Sequence, residues 1–222
     1  MKLELVIFDV DGLLLDTERT WQKTWHDIGI KHGVKNLGSE VFLKCIGHTG
    51  KVVEDIILQE VTGIEEPLAL LQEVREAGKI RLENELELKP GAKQLIAYLK
   101  ENQIPLAIGT STISALNEER LKKVDVFHEF CYMLCGDEVT KRKPDPEVYN
   151  RIVEQFGVDK ENVVILEDSY LGVEAAYRAN VSCIMVPDIL PATEIQIKQT
   201  MHIAKSLYEV KDYIEQYLLS KK

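Results

Sequence analysis

Five short apolar runs punctuate this chain, at residues 3–8, 105–109, 130–134, 163–166 and 182–186. Stretches of helical spacing separate most of them, and this alternation constrains the fold more than any other feature. Each run has the length and β-forming character of a buried strand. Between them, Ala92, Leu95, Ile96 and Leu99 form one helical stripe. Val148, Ile152, Val153 and Phe156 form a second, and Val173, Ala176 and Ala179 a third, rich in small side chains. Strands alternating with helices predict an α/β fold, with a parallel sheet covered on both faces.

One stretch breaks the rhythm. Residues 17–88 hold no convincing strand, and about seventy residues of helix are too many for a simple crossover. Trp21, Trp25, Ile28 and His32 share helical spacing. Ser39 is placed to cap a short helix through Phe42 and Leu43. Val52, Val53, Ile56 and Ile57 mark another helix, and Leu70, Leu71, Val74 and Ala77 begin a longer one. The reading is a helical insertion forming a second domain at 17–88, carried by a core domain at 1–16 and 89–222. Such an insertion would hinge near Asp16 and around residues 86–90, opening to admit a substrate and closing to exclude water.

Charge narrows the partners. With 27 Lys+Arg against 37 Asp+Glu the net charge is -10, which disfavours nucleic acid and anionic membranes. No window approaches the roughly 18 apolar residues of a membrane span. Glu4, Asp9 and Asp11 interrupt the first apolar run and deny it the character of a signal peptide. The 4 cysteines lack zinc-ligand spacing and read as reduced, mostly buried thiols. The expected location is the cytoplasm, and nothing demands more than a monomer.

In an open parallel sheet, ligands bind at the carboxyl ends of the strands. There the sequence places Asp9 and Asp11 after the first run, Thr110 and Ser111 after the second, and Glu167 and Asp168 after the fourth. Lys141, Arg142 and Lys143 lie in the loop after the third. Asp9, Asp11, Glu167 and Asp168 outweigh Lys143 by three negative charges. Crowded carboxylates raise one another's pKa, and a divalent cation relieves the repulsion. Oxygen-only ligands suit Mg²⁺. With Mg²⁺ bound, a protonated Asp11 would make the pocket neutral and able to accept a phosphate dianion. It would also set an acid beside an ionised nucleophile. Taken alone, Asp9 and Asp11 could simply end a strand in an acidic turn; the conjunction with the downstream groups is far rarer.

These residues resemble the haloacid dehalogenase-like hydrolase superfamily over essentially the whole chain. The matching segments are Phe8-Asp9-Val10-Asp11-Gly12 with Asp16-Thr17-Glu18, Ala107-Ile108-Gly109-Thr110-Ser111, Lys143-Pro144-Asp145-Pro146 extending to Tyr149, and Leu166-Glu167-Asp168-Ser169 followed by Gly172. The resemblance implies a Rossmann-like core with an all-helical cap inserted after the first motif, as in β-phosphoglucomutase, phosphoglycolate phosphatase and sugar-phosphate phosphatases. It implies that Asp9 attacks phosphorus and becomes an aspartyl-phosphate. Asp11 would protonate the leaving group and then activate water. Mg²⁺ would be held by Asp9, the Asp11 carbonyl and Asp168, with Glu167 nearby or acting through water. Thr110, Ser111 and Lys143 would bind the phosphoryl group, with Lys141 and Arg142 as solvated neighbours. Ser169 would cap the following helix.

The implied activity is hydrolysis of a small phosphorylated metabolite. A β-phosphoglucomutase-type mutase is the alternative, and a non-catalytic phospho-ligand binding protein a further one. Against the mutase, Trp21 stands where its cap histidine is expected, and Gly47-His48-Thr49-Gly50 lacks its arginine. Trp21, His48, Thr49 and Lys51 are the cap residues that could face a substrate.

Overall fold

A computed structural model describes residues 2–48 and 50–219. The chain divides into two compact units, Met1–Leu15 with Glu87–Lys222, and Asp16–Leu86. The first strand, β1 (Leu5–Phe8), leads into the second unit. That unit contains α1 (Thr17–His32), α2 (Phe42–Cys45), α3 (Lys51–Glu60) and α4 (Pro67–Glu85), with no strand among its described residues. The chain then re-enters the first unit through α5 (Ala92–Glu101), β2 (Leu106–Gly109), α6 (Ser114–Lys123), β3 (Tyr132–Leu134) and α7 (Glu147–Phe156). It continues through β4 (Val163–Glu167), α8 (Tyr170–Arg178), β5 (Ser182–Met185), α9 (Glu194–Gln199), β6 (His202–Ile203) and α10 (Leu207–Tyr213).

The strands form one parallel sheet in the order β3-β2-β1-β4-β5-β6. The chain builds outward from β1 on one side, then crosses to β4 and builds outward on the other. The strand order therefore reverses between β1 and β4, which is where open α/β sheets leave a crevice. Side chains alternate across the sheet. Leu5 and Ile7 face one layer, where they join Tyr149 and Ile152 of α7 and Val173 and Ala176 of α8 in a buried cluster. Phe8, of opposite parity, stacks edge-on against Phe130 with ring centroids 5.5 Å apart. The stripe expected on α5 is buried, and each of the five expected strands is present, β4 one residue longer than its run and the other four slightly trimmed.

Two local expectations change. β6 was not anticipated: it is two half-buried residues at the sheet edge, too short to leave an apolar run. Ser39 does not cap a helix. The chain is already helical from Leu37, and Gly38 packs so tightly on α1 that a Cβ there would come within 2.6 Å of the His26 backbone nitrogen.

Within the helical unit, Trp25 is buried against Phe42, their ring centroids 5.5 Å apart. Trp21 lies over Gly78 of α4, where a Cβ would stand 1.8 Å from its ring. Alanine at 78 would gain about 1 kcal/mol of helix propensity but would displace the indole, an overpacking worth about 1–3 kcal/mol. Gly78→Ala is therefore expected to destabilise this unit by up to about 2 kcal/mol and to change tryptophan fluorescence before global unfolding. A melt followed by fluorescence and circular dichroism checks both.

No helix among the described residues is long and apolar enough to cross a membrane. Cys45, Cys131, Cys135 and Cys183 are all free thiols, and only Cys131 among them is exposed.

Candidate active site

The register of β1 against β4 sets Phe8 beside Leu166. The next residues, Asp9 just after β1 and Glu167 at the end of β4, thus stand side by side at the point where strand order reverses. The Asp9 amide donates to the Leu166 carbonyl at 3.0 Å, which fixes this exit. Asp11 follows on a turn in which Gly12 has φ 87, a left-handed conformation that glycine adopts without steric cost. Leu14 and Leu15 fold back on the Val10 carbonyl at 2.9 Å, so the turn is closed by its own backbone.

Lys143 ties three strand ends together. Its ammonium donates to Asp9 Oδ1 at 2.5 Å after β1, to the Gly109 carbonyl at 2.9 Å on β2, and to Glu167 Oε1 at 2.7 Å on β4. An ammonium has three donors, and here all are used. The side chain is 5% exposed and lies over the Tyr149 ring, 5.0 Å from its centroid. Its neighbours Lys141 and Arg142 are exposed, as expected.

Glu167 is anchored from every side. Oε1 also accepts the Tyr149 hydroxyl at 2.7 Å. Oε2 accepts the amides of Asp168 at 3.0 Å and Ser169 at 3.1 Å, and the Ser169 hydroxyl at 3.0 Å. Ser169 in turn caps α8, accepting from the Gly172 amide at 3.1 Å. Helix start, carboxylate and ammonium form one continuous network. Both oxygens of Glu167 are thus already engaged by protein donors.

Electrostatics follow from this packing. Burial pushes the Asp9 carboxyl up to about 7, Lys143 pulling it back down and Glu167 adding repulsion. Burial acts on Glu167 in the same sense, but the Lys143 charge and the hydrogen bonds prevail and hold it below the usual carboxylate range. Burial alone would lower Lys143; the two carboxylates outweigh it and raise it.

Thr110, 2% exposed, follows β2 with its amide on the Leu134 carbonyl, and its hydroxyl oxygen accepts the Thr112 amide at 3.1 Å. Ser111 is exposed, and its carbonyl approaches Gly136 so closely that a Cβ there would lie 2.1 Å away. Trp21, His48 and Lys51 belong to the helical unit. Trp21 is half-buried on α1, and His48 and Lys51 are exposed. Thr49 lies outside the described residues.

One charged partner is new. Arg120 of α6 pairs with Asp11 at 2.7 Å, and the Thr112 hydroxyl donates to the other Asp11 oxygen at 2.5 Å. Arg120 is one of three basic residues in the last turn of α6, and nothing in the sequence distinguishes it. Its presence corrects the charge count. Four carboxylates now face two cations, and two positive charges on a divalent ion would balance the remainder.

The residues fit such an ion. Asp9, Glu167 and Asp168 each offer a carboxylate oxygen, all within 4.8 Å of one another, and oxygen-only donors suit a hard divalent cation.

Several known proteins are similar to this chain in sequence or fold. A phosphorylated carbohydrates phosphatase of Thermotoga maritima is 34% identical over 181 residues, 81% of this chain and 82% of that protein. Fructose-1-phosphate phosphatase YqaB of Escherichia coli is 28% identical, covering 82% and 95% of the two chains. Among solved structures, CbbY of Rhodobacter sphaeroides in complex with phosphate superposes with a TM-score of 0.71 at 27% identity, over 94% of this chain and 96% of that one. The profile described as haloacid dehalogenase-like hydrolase matches residues 6–186, spanning every strand end described above except β6, and this chain belongs to that family.

Proposed function

We propose that this protein is a Mg²⁺-dependent phosphatase that hydrolyses small phosphorylated carbohydrates through an aspartyl-phosphate on Asp9. The observation that carries the reading is the Lys143 bridge. It holds the Asp9 carboxylate at 2.5 Å from a buried ammonium, itself fixed by Glu167. The names of the similar phosphatases support the substrate class.

The Asp9 oxygen attacks phosphorus while the bond from phosphorus to the substrate oxygen breaks, and Asp11 gives its proton to that oxygen. A water oxygen then attacks phosphorus, the bond to Asp9 breaks, and the water's proton passes to Asp11. Lys143 offsets the repulsion between Asp9 and the incoming phosphoryl group. The Thr110 hydroxyl keeps its hydrogen to donate to a phosphoryl oxygen, and Ser111 lies beside it. Asp9, Asp168 and the Asp11 carbonyl are the residues we assign to the metal. Glu167 contributes from within the cluster and orients Lys143. Bound Mg²⁺ supplies charge stabilisation for the transferring phosphoryl oxygens.

Phosphate release from a panel of sugar, polyol and nucleotide phosphomonoesters is the test. Turnover is expected with Mg²⁺ and is expected to vanish with EDTA and return on adding Mg²⁺. Silence across the panel would leave a phospho-ligand binding protein. Conversion of β-glucose 1-phosphate to the 6-phosphate with little free phosphate would make the chain a mutase.

A further inference from the structure

Asp11 is gripped by two groups that lie outside the residues assigned above. Arg120 donates through Nη1 to Oδ1 at 2.7 Å, and Thr112 donates through its hydroxyl to Oδ2 at 2.5 Å. Arg120 is not a surface residue that happens to reach inward: its side chain is 12% exposed. Its neighbour Lys122 instead pairs with Glu118 along the helix and lies over the Phe127 ring. The two contacts approach Asp11 from different elements, the start of the loop after β2 and the last turn of α6.

The chemistry of the clamp is one-sided. A guanidinium cannot accept a hydrogen bond, so Asp11 meets it as an acceptor. A carboxylate has about four lone-pair sites, and the two contacts occupy one on each oxygen. Among the described residues no other hydrogen bond reaches the remaining sites, and two anchors fix their orientation. Both tasks proposed for Asp11, giving a proton to the leaving group and taking one from water, depend on that orientation, and the second is the one an aryl ester isolates. We infer that Arg120 is a positioning residue that holds Asp11 as the base for hydrolysis of the aspartyl-phosphate, with Thr112 as the other half of the clamp. The inference rests on the phosphatase reading.

In the step concerned, the water oxygen bonds to phosphorus, the bond from phosphorus to Asp9 breaks with its electron pair returning to Asp9, and the water's proton goes to Asp11. Misplacing a base by about 1 Å can lower a rate by about 10²-fold. Forming the aspartyl-phosphate from an aryl ester needs little help from an acid, because nitrophenolate is a good leaving group. Weakening the clamp should therefore slow the second half-reaction and spare the first.

Arg120→Met should give a burst of nitrophenolate from p-nitrophenyl phosphate, approaching one equivalent per active site. Its steady-state rate should lie about 10–100-fold below wild type. Intact-protein mass after acid quench should show the phosphorylated chain accumulating. Arg120→Lys should recover part of the steady-state rate, and Thr112→Val should shift the same ratio less. If Arg120→Met does not fold, judged by circular dichroism, these two variants carry the test. An equal fall in burst and steady-state rates with no accumulated phosphoenzyme, or an unchanged steady-state rate, overturns the clamp while leaving the phosphatase reading intact. Absence of wild-type turnover overturns both.

Discussion

Asp9→Asn is expected to lower phosphate release by about 10⁴-fold or more while leaving the protein folded. The amide keeps the shape of the carboxylate but cannot serve as the nucleophile. The fold should survive because Lys143 retains two of its three partners, the Gly109 carbonyl at 2.9 Å and Glu167 at 2.7 Å. The substitution also removes a buried charge whose carboxyl is already pushed up to about 7 by burial, and with it the repulsion from Glu167. Losing one charged hydrogen bond and relieving one buried repulsion oppose each other. The thermal midpoint should accordingly stay within about 3 °C of wild type, a shift of roughly 1 kcal/mol for a chain of this size. Phosphate release and calorimetry on the same preparation check the two halves. Residual turnover within tenfold of wild type would remove Asp9 from the nucleophile's role.

What the sequence shows of this arrangement depends on how local each feature is. The strands β1, β2, β4 and β5 are legible because each is a continuous buried run closed by a turn. The loop lysine of the third motif and the strand-end acids are legible because a parallel sheet delivers such residues to one edge. The helical unit is legible because residues 17–88 lack any β pattern. Arg120 is not. It acts across 109 positions of chain, from a helix turn that holds two further basic residues. The strand order is likewise a long-range choice that no local pattern records. Gly172 belongs to the same class. The resemblance marks it as following the fourth motif, but only the structure reveals what fills the space it leaves.

That space is occupied by Glu167. A Cβ on Gly172 would lie 1.7 Å from Oε1 and 1.8 Å from the carboxyl carbon, so Gly172→Ala cannot coexist with the observed carboxylate position. The alternatives are to move Glu167 or to lift α8. Moving Glu167 strips Lys143 of a partner and leaves the Tyr149 hydroxyl, the Asp168 and Ser169 amides and the Ser169 hydroxyl without their acceptor. Lifting α8 pulls Val173 and Ala176 from the core cluster. Breaking a buried ion pair from one side costs about 3–5 kcal/mol, far above the ~1 kcal/mol that alanine gains over glycine in a helix. Gly172→Ala is therefore expected to lower the thermal midpoint by roughly 6–15 °C and to impair turnover even where the protein folds, because Lys143 loses its anchor. A double-mutant cycle assigns the cause. In a Glu167→Ala background the clash disappears, and Gly172→Ala should then cost less than about 1 kcal/mol. Equal costs in both backgrounds would mean that Gly172 serves the packing of α8 alone, and that the carboxylate has room the structure does not give it.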